Sequence, residues 1–502
     1  MSTPPSPARW WILAAVMLAF LPVVIDMTIL HIAVPSLTLA LQASGNQVLW
    51  IIDIYPLVMA GLLVPMGTLA DRVGDRRLLL AGLTVFGFAS LAAACSTRAS
   101  MLIAARVLLA IGGAMILPCV LGVIRRTFED ARERAMALGA WGTAGAAGAA
   151  LGPLVGGALL EHFWWGSVFL INVPVMLVVV PVVWRLLPPA RPTRGAAPWP
   201  IGQALVLVAG VIAVVYGLKT GAAGGQSWWI AAAAIGLGCA LLWLFARIQM
   251  RASSPMLDLA LFAHPTILAG ILMAMVASGA LAGVELTIAQ ELQYVLAKRP
   301  LQAGLFMVPI MAAAAVGGPV AGWLSNALGL RRVAACALAV SALALLGIAN
   351  VDLDRAGLLV PMLLAALGLS LSIGLTASSI AIMNAVEAEQ GGAAGALEAT
   401  AYELGTGLGI TACGLLLSHV FVRHFELPVA LAETADQHAV GSIGDAFVLA
   451  HSLAASADAV AVETAARSAF TIAHAALLTT ASAVIAALAV AVYLLLGRRR
   501  DG

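Results

Sequence analysis

Charge is scarce in this sequence. Of 502 residues only 10% are Asp, Glu, Lys or Arg, whereas 62% are hydrophobic. Soluble domains carry about 25% charged residues, so an ordinary soluble fold is excluded. Alternating polarity is missing as well. The apolar windows are continuous and rich in Ala, Leu and Gly, unlike the strands of a membrane barrel. Cysteines are few: Cys95, Cys119, Cys239, Cys336 and Cys413 lie in or at the edge of apolar runs, with no CxxC spacing. They read as small buried hydrophobes, not as metal ligands or disulfides. No GxxxxGK[ST] loop occurs, which argues against an ATP-driven pump. No His/Cys metal cluster, no Ser/His/Asp arrangement and no soluble catalytic domain stands out. The expectation is a non-enzyme with no catalytic residues, no metal and no cofactor. The net charge is only +2, with basic residues mainly between apolar runs, so a nucleic-acid partner has no support. No cleavable signal peptide is evident at the first apolar run.

What is present is a series of apolar windows of about 20 residues, each long enough to cross a bilayer as a helix. Fourteen are read, near residues 10–34, 47–70, 78–97, 101–124, 136–160, 167–187, 200–219, 228–248, 266–291, 301–324, 331–350, 358–382, 394–421 and 470–496. The expected fold class is an all-α polytopic membrane protein whose solvent is the lipid bilayer. Orientation follows from Lys and Arg. With the N-terminus inside, 18 basic residues fall on the inner side, and seven on the outer: Arg98, Lys219, Lys298, Arg299, Arg355, Arg423 and Arg467. Arg106 lies inside the fourth window. The split places both termini in the cytoplasm. "LPPARPTRGAAPWP" (187–200) reads as a Pro-rich cytoplasmic linker. The segment near 422–469 is Ala-rich, and Glu463 and Arg467 have the i,i+4 spacing of a helical pair. A helical hairpin at the outer surface is expected there, with a disordered loop as the alternative.

The chain repeats itself. "GTLADRVGDRR" (67–77) follows the second window and "GWLSNALGLRR" (322–332) follows the tenth. Gly67, Leu69, Gly74, Arg76 and Arg77 align with Gly322, Leu324, Gly329, Arg331 and Arg332, and Asp71 meets Asn326. The repeat suggests two six-helix bundles, residues 1–187 and 266–502, with a linker and two inserted helices over 188–265. Parallel repeats of this kind are a transporter architecture, with the substrate site between the halves.

Acids inside apolar windows are costly and usually face a cavity or a partner. Asp26, in "FLPVVIDMTILHIAVP", lies about 22 Å along an outward-running helix, hence in its outer half. Asp53 lies early in the second window and Arg106 early in the fourth, so all three share a depth. They form either a proton site, in which proton and cation compete for a carboxylate, or a permanent pair that neutralises costly charges. Glu285 lies in the outer part of the ninth window, and Glu291 toward its watery end. Glu398 and Glu403 lie near the start of the thirteenth. They stand about 140° apart around a helix, so both need not face one cavity. Rings can hold a lipophilic cation on their faces. Trp50 shares a face with Asp53, although it equally suits an interfacial anchor, and Tyr55, Trp141, Phe306 and Tyr402 are further candidates. His31 reads as a core or pore-edge histidine in preference to a proton relay.

Several segments together resemble a known family. "DMTILHIAVP" (26–35), "LWIIDIYPLVMAGLLVP" (49–65), "GTLADRVGDRR" (67–77), "RVLLAIGGAMILP" (106–118), "GAAGAALGPLVGG" (145–157), "FLINVP" (169–174) and "ALEATAYELG" (396–405) occur in register along nearly the whole chain. They are similar to the fourteen-helix drug:proton antiporter branch of the major facilitator superfamily, nearest its exporters of quaternary ammonium compounds and methyl viologen. Asp75 departs from that pattern, standing where the family usually has a basic residue. The resemblance implies a monomeric multidrug efflux transporter in a bacterial-type cytoplasmic (inner) membrane, driven by the proton gradient and working by alternating access. Its partners would be protons and small-molecule cationic drugs. It implies proton coupling at Asp26, Asp53 and Arg106, and substrate binding at Asp53, Trp50, Tyr55, Glu285, Glu398, Tyr402 and Glu403. Gating would fall to Gly67, Asp71, Arg72, Gly74, Arg76 and Arg77 and to Gly152, Pro153, Gly156 and Gly157. The same arginines also serve to hold their loop inside, and the glycines equally suit ordinary close packing. The alternatives are an exporter of a neutral or anionic metabolite or antibiotic, and a membrane-embedded sensor or enzyme. The acids clustered in the windows favour cations.

Overall fold

The computed structural model describes residues 6–188, 199–222, 228–252, 255–355, 357–386, 391–428, 431, 440–453 and 457–497. Most of the predicted linker, with Arg191 and Arg194, and parts of the 422–469 segment lie outside the described residues. The first half consists of α1 (Ser6–Leu41), α2 (Gly45–Val73), α3 (Asp75–Ala94), α4 (Ala99–Thr127), α5 (Ala131–His162) and the consecutive α6 (Ser167–Leu170) and α7 (Asn172–Leu186). Next come α8 (Ile201–Ala222) and α9 (Trp228–Arg251). The second half comprises α10 (Pro265–Gln290), α11 (Pro300–Leu328), α12 (Leu330–Ala349), α13 (Leu359–Asn384), α14 (Gly391–His424), the short α15 (Ile443–Ser452) and α16 (Ala457–Leu495). Among the described residues fourteen helices are long and apolar enough to cross a membrane, α6 and α7 counting together. Their outward faces are apolar, with Phe88, Leu177 and Met362 exposed. Exposed tryptophans such as Trp11, Trp164, Trp184 and Trp228 lie near helix ends, where an indole meets the headgroup layer.

The internal repeat is a repeat of backbone geometry. Gly74 has φ +92° and Gly329 has φ +86°. Each ends one helix and begins the next, a turn that L side chains rarely adopt. Two residues on, Arg76 donates to the carbonyl of Trp184, and the matching Arg331 donates to that of Tyr493 at 2.8 Å. Trp184 and Tyr493 stand near the ends of the last spans of the two halves. Each arginine thus ties the start of its third span to the end of its sixth. The end of the molecule bearing these turns is called the inner end, following the basic residues.

Small residues let the spans approach closely. On α14, a Cβ at Gly409 would lie 2.2 Å from the Gly279 Cα, and one at Gly405 would lie 2.2 Å from the Met275 carbonyl oxygen. The inserted pair docks through α8, whose Val208 occupies the space beside Gly61 of α2. At the outer end α15 covers the start of α2. The Asp445 carboxylate accepts from the Gly45 amide at 3.0 Å and from the Ser442 hydroxyl at 2.8 Å. Burial pushes the Asp445 carboxyl above its ordinary 3.8, against the hydrogen bonds from Ser442, Gly45 and Gly441. The contact therefore loosens on acidification at a higher pH than an ordinary aspartate would allow. Among the described residues of the outer segment, α15 and the first turns of α16 are helical, and 425–428 and 440–442 are not. Arg467 bonds Glu463 at 3.1 Å.

Overpacking a close contact costs about 1–3 kcal/mol. Gly409→Val should therefore lower the melting temperature of the purified protein. Gly139→Val, whose Cβ meets nothing within 4 Å, should leave it near the wild-type value in the same fluorescence melt.

Candidate functional site: a cavity between the halves

A cavity of about 1200 Å³ lies between the halves. Helices α1, α2, α4 and α5 wall it on one side, and α10, α13 and α14 on the other. It reaches the inner end, where the exposed Asp71 lines it together with Arg125 and Arg126. The outer end is shut by backbone contact. A Cβ on Gly157 would lie 2.6 Å from the Leu301 Cα, and one on Gly304 would lie 2.5 Å from the Pro153 carbonyl oxygen. Gln293 reaches across to the Ile32 carbonyl at 3.1 Å.

Asp26 and Arg106 meet as their shared depth suggests. Arg106 Nη1 lies 2.5 Å from Asp26 Oδ2, and both residues are buried. The guanidinium is further held by the Ile51 carbonyl at 3.1 Å and stacks 4.5 Å from the Tyr55 ring centre. Arg106 and Tyr55 line the cavity and Asp26 does not, so the guanidinium is part of the wall and its carboxylate partner lies behind it.

Asp53 does not join this pair. It faces the opposite side of α2, where Lys219 Nζ lies 2.6 Å from Oδ2 and the Thr411 hydroxyl donates to the same oxygen at 2.6 Å. The Trp50 ring lies 3.9 Å from the Lys219 ammonium. Asp53 and Trp50 do not line the cavity, and the cation on Trp50 is the protein's own. Lys219, counted from the sequence as an outer-loop charge, is buried in α8. The run "GLKTGAAGGQS" reads as the end of a span, but α8 continues past Lys219 to Ala222. Lys219 is thereby held against a carboxylate that offsets its desolvation.

The other acids gather around the cavity. Glu285, Glu398 and Glu403 all line it, as does Tyr402. The Ser379 hydroxyl donates to Glu398. Glu403 is buried, and its Oε2 has no hydrogen-bond partner. The 140° between Glu398 and Glu403 does not separate them, because α14 lies along a cavity wide enough to be met from two faces. A side chamber of about 430 Å³ adjoins them, lined by Trp141 and Phe20 among others. The two rings stand 5.3 Å apart. Phe306 packs instead in the second-half core. Glu291 is buried and not at a watery edge. A π-helical turn, Glu291–Val295, turns it toward α16, where His474 lies 3.5 Å away. His31, at the cavity wall, lies 3.8 Å from Glu285.

The expected gating residues fall at the two ends. At the inner end Gly67 and Asp71 line the cavity, Gly74 makes the turn, and Arg76 bonds Trp184. Arg72 lies in the last turn of α2 and Arg77 is exposed. Asp75, the departure from the family pattern, is buried against Gly122 and paired with Arg126. At the outer end Gly152 and Gly156 admit Thr28 and Ile29 of α1, while Pro153 and Gly157 face α11. Sequence reasoning missed Lys219, Thr411, Ser379 and Phe20. Thr411 and Ser379 carry no signal in an apolar helix, where a hydroxyl can bond its own backbone.

Two helical bundles around a central cavity that is shut at its outer end, with apolar helices on the outside, define a membrane transporter. Residues 16–410 match the Major Facilitator Superfamily. The chain is 48% identical to the methyl viologen resistance protein SmvA of Salmonella typhimurium, over 98% of this chain and 99% of that protein. It is 38% identical to the multidrug efflux pump LfrA of Mycolicibacterium smegmatis, over 93% of each. Among solved structures it is similar to a bacterial homolog of the human lysosomal transporter Spinster. The TM-score there is 0.69 at 17% identity, covering 99% of this chain and 100% of that one. The chain belongs to the Major Facilitator Superfamily. It is a multi-pass membrane transporter and not an enzyme.

Removing one partner of a buried ion pair costs about 3–5 kcal/mol, because the other charge stays buried. Lys219→Ala should therefore lower the melting temperature sharply, and Asp53→Asn with Lys219→Met should recover most of the loss. A Lys219→Ala protein melting with the wild type would contradict the burial of that pair.

Proposed function

We propose that the protein is a proton-coupled efflux transporter that exports lipophilic cations, including quaternary ammonium compounds, dyes and methyl viologen, by alternating access. The observation that carries this reading is the imbalance of charge around the cavity. Glu285, Glu398 and Glu403 line its middle, where Arg106 is already paired to Asp26 and His31 is the remaining basic group. A cavity with carboxylates to spare attracts cations, and the rings of Tyr55, Trp141, Phe20 and Tyr402 suit a flat or lipophilic one. Similarity to a methyl viologen resistance protein and to a multidrug efflux pump supports the same substrate class.

In this reading the cavity loads from the cytoplasm, with both termini inside and the membrane the bacterial inner membrane. Asp26 holds the transported proton beside Arg106, and Asp53 with Lys219 adjusts the second span. Tyr55, Glu285, Glu398, Tyr402 and Glu403 receive the drug. Breaking the Gly157–Leu301 and Gly304–Pro153 contacts opens the outer end, while the turns at Gly74 and Gly329 close the inner end. No cofactor is needed, since the proton gradient supplies the work, and one chain suffices as the working unit.

Cells expressing the protein should accumulate less ethidium and methyl viologen than cells without it, and collapsing the pH gradient should abolish the difference. In proteoliposomes, Asp26→Asn should cut proton-driven export to background while the protein still inserts and elutes normally. Undiminished drug/proton exchange by Asp26→Asn would refute the role of Asp26. Gradient-independent exclusion of both dyes would refute proton coupling.

A further inference from the structure

His31 and Glu285 face each other across the cavity from opposite halves, His31 on α1 and Glu285 on α10. Imidazole Nδ1 and carboxylate Oε2 stand 3.8 Å apart, with both side chains buried and both lining the cavity. That distance exceeds a hydrogen bond, and His31 Nδ1 has no hydrogen-bond partner. A shift of under 1 Å would close the gap into a charge-assisted bond. Unlike Asp26 and Arg106, which share one half, this pair spans the seam that alternating access must open and shut.

We propose that His31 is the residue at which a proton takes the drug's place, its imidazolium occupying Glu285 whenever the drug's cationic centre does not. The proposal rests on the cation-export reading above and adds a second proton-accepting group to it. The step balances charge for charge. A proton from the outer solution adds to the neutral imidazole, and the imidazolium draws the Glu285 carboxylate to itself while the cation leaves outward. When the cavity faces inward, an entering cation takes the carboxylate, and the imidazolium returns its proton to the water of the cavity and becomes neutral. His31 stands opposite Glu285 of α10 and feels the charge of Arg106 of α4, while Tyr55 of α2 and Tyr402 and Glu403 of α14 line the same cavity and Asp26 lies earlier on its own helix. On α5 the ionisable Glu161 and His162 are exposed at the outer end, and on α7 Arg185 lies at the inner end. Asp445 of α15 is engaged with Gly45. Arg106 opposes a charge on His31, and the Glu285 carboxylate 3.8 Å away favours one. Proton occupancy therefore depends on whether a drug cation already satisfies that acid.

The test uses the full-length protein in detergent and tetraphenylphosphonium as the cation. Affinity is measured at pH 6 and pH 8, and proton release on binding is followed in weak buffer with an indicator dye. The ratio of the dissociation constant at pH 6 to that at pH 8 is expected to be at least about threefold larger in the wild type than in His31→Gln. The variant is also expected to release fewer protons per cation bound. Glu285→Gln should flatten the ratio in the same way, since the imidazolium then has no carboxylate to contest. A His31→Gln protein with the wild-type ratio and proton count would overturn the proposal. So would one that elutes as folded yet binds no cation at either pH, because His31 would then act only as a contact. Failure of the wild type itself to bind tetraphenylphosphonium would overturn the cation-export reading, and this proposal with it.

Discussion

A charge inside a bilayer persists only where a counter-charge, a dipole or water offsets its lost hydration. That constraint arranges the middle of this protein. Arg106 is taken up by Asp26, by a backbone carbonyl and by the face of Tyr55. Lys219 is taken up by Asp53 and the face of Trp50. The two sets lie on opposite faces of α2, so one helix divides the charge of the first half between the cavity and the inserted pair. The acids left over line the space between the halves. Helix packing supports this division, since glycines hold α10 against α14 and α1 against α5 at close approach.

The two halves are alike in their scaffolding and unlike in their charge. Both use a left-handed glycine to turn from the second span into the third, and both use an arginine to bind the third span to the end of the sixth. The first half, however, buries paired charges, whereas the second places single carboxylates along the cavity, with His31 reaching over from the other side. A repeat that preserves fold while dividing chemistry suits a carrier in which one half supplies a stable frame and the other a responsive surface.

Much of this was legible in the sequence, for a physical reason. A span announces itself by what it lacks, and an acid within one is conspicuous, so Asp26, Asp53, Glu285 and Glu403 stood out together with the span count and the Gly74 repeat. Partner choice was not legible. Asp53 and Lys219 lie five spans apart, and Gly221 after Lys219 imitates the start of a loop although α8 runs on to Ala222. Rotation about a helix axis left one point open: Glu398 and Glu403 diverge on a helical wheel, and a wide cavity meets both. Glu291 looked superficial because a π-turn, which shifts the register by one residue, leaves no mark in the composition.

The last helix is longer than a bilayer crossing needs. Its apolar stretch begins near residue 470, but α16 begins at Ala457, which adds about 20 Å of helix before that stretch. Phe470 and Ala466 bind that extension into a small core with Phe421 and Ile443, so it stands as a rigid post. A 51.3 kDa protein made mostly of membrane-length helices thus carries at one end a landmark fixed to its frame. An antibody fragment seated there would move as one body with the second half.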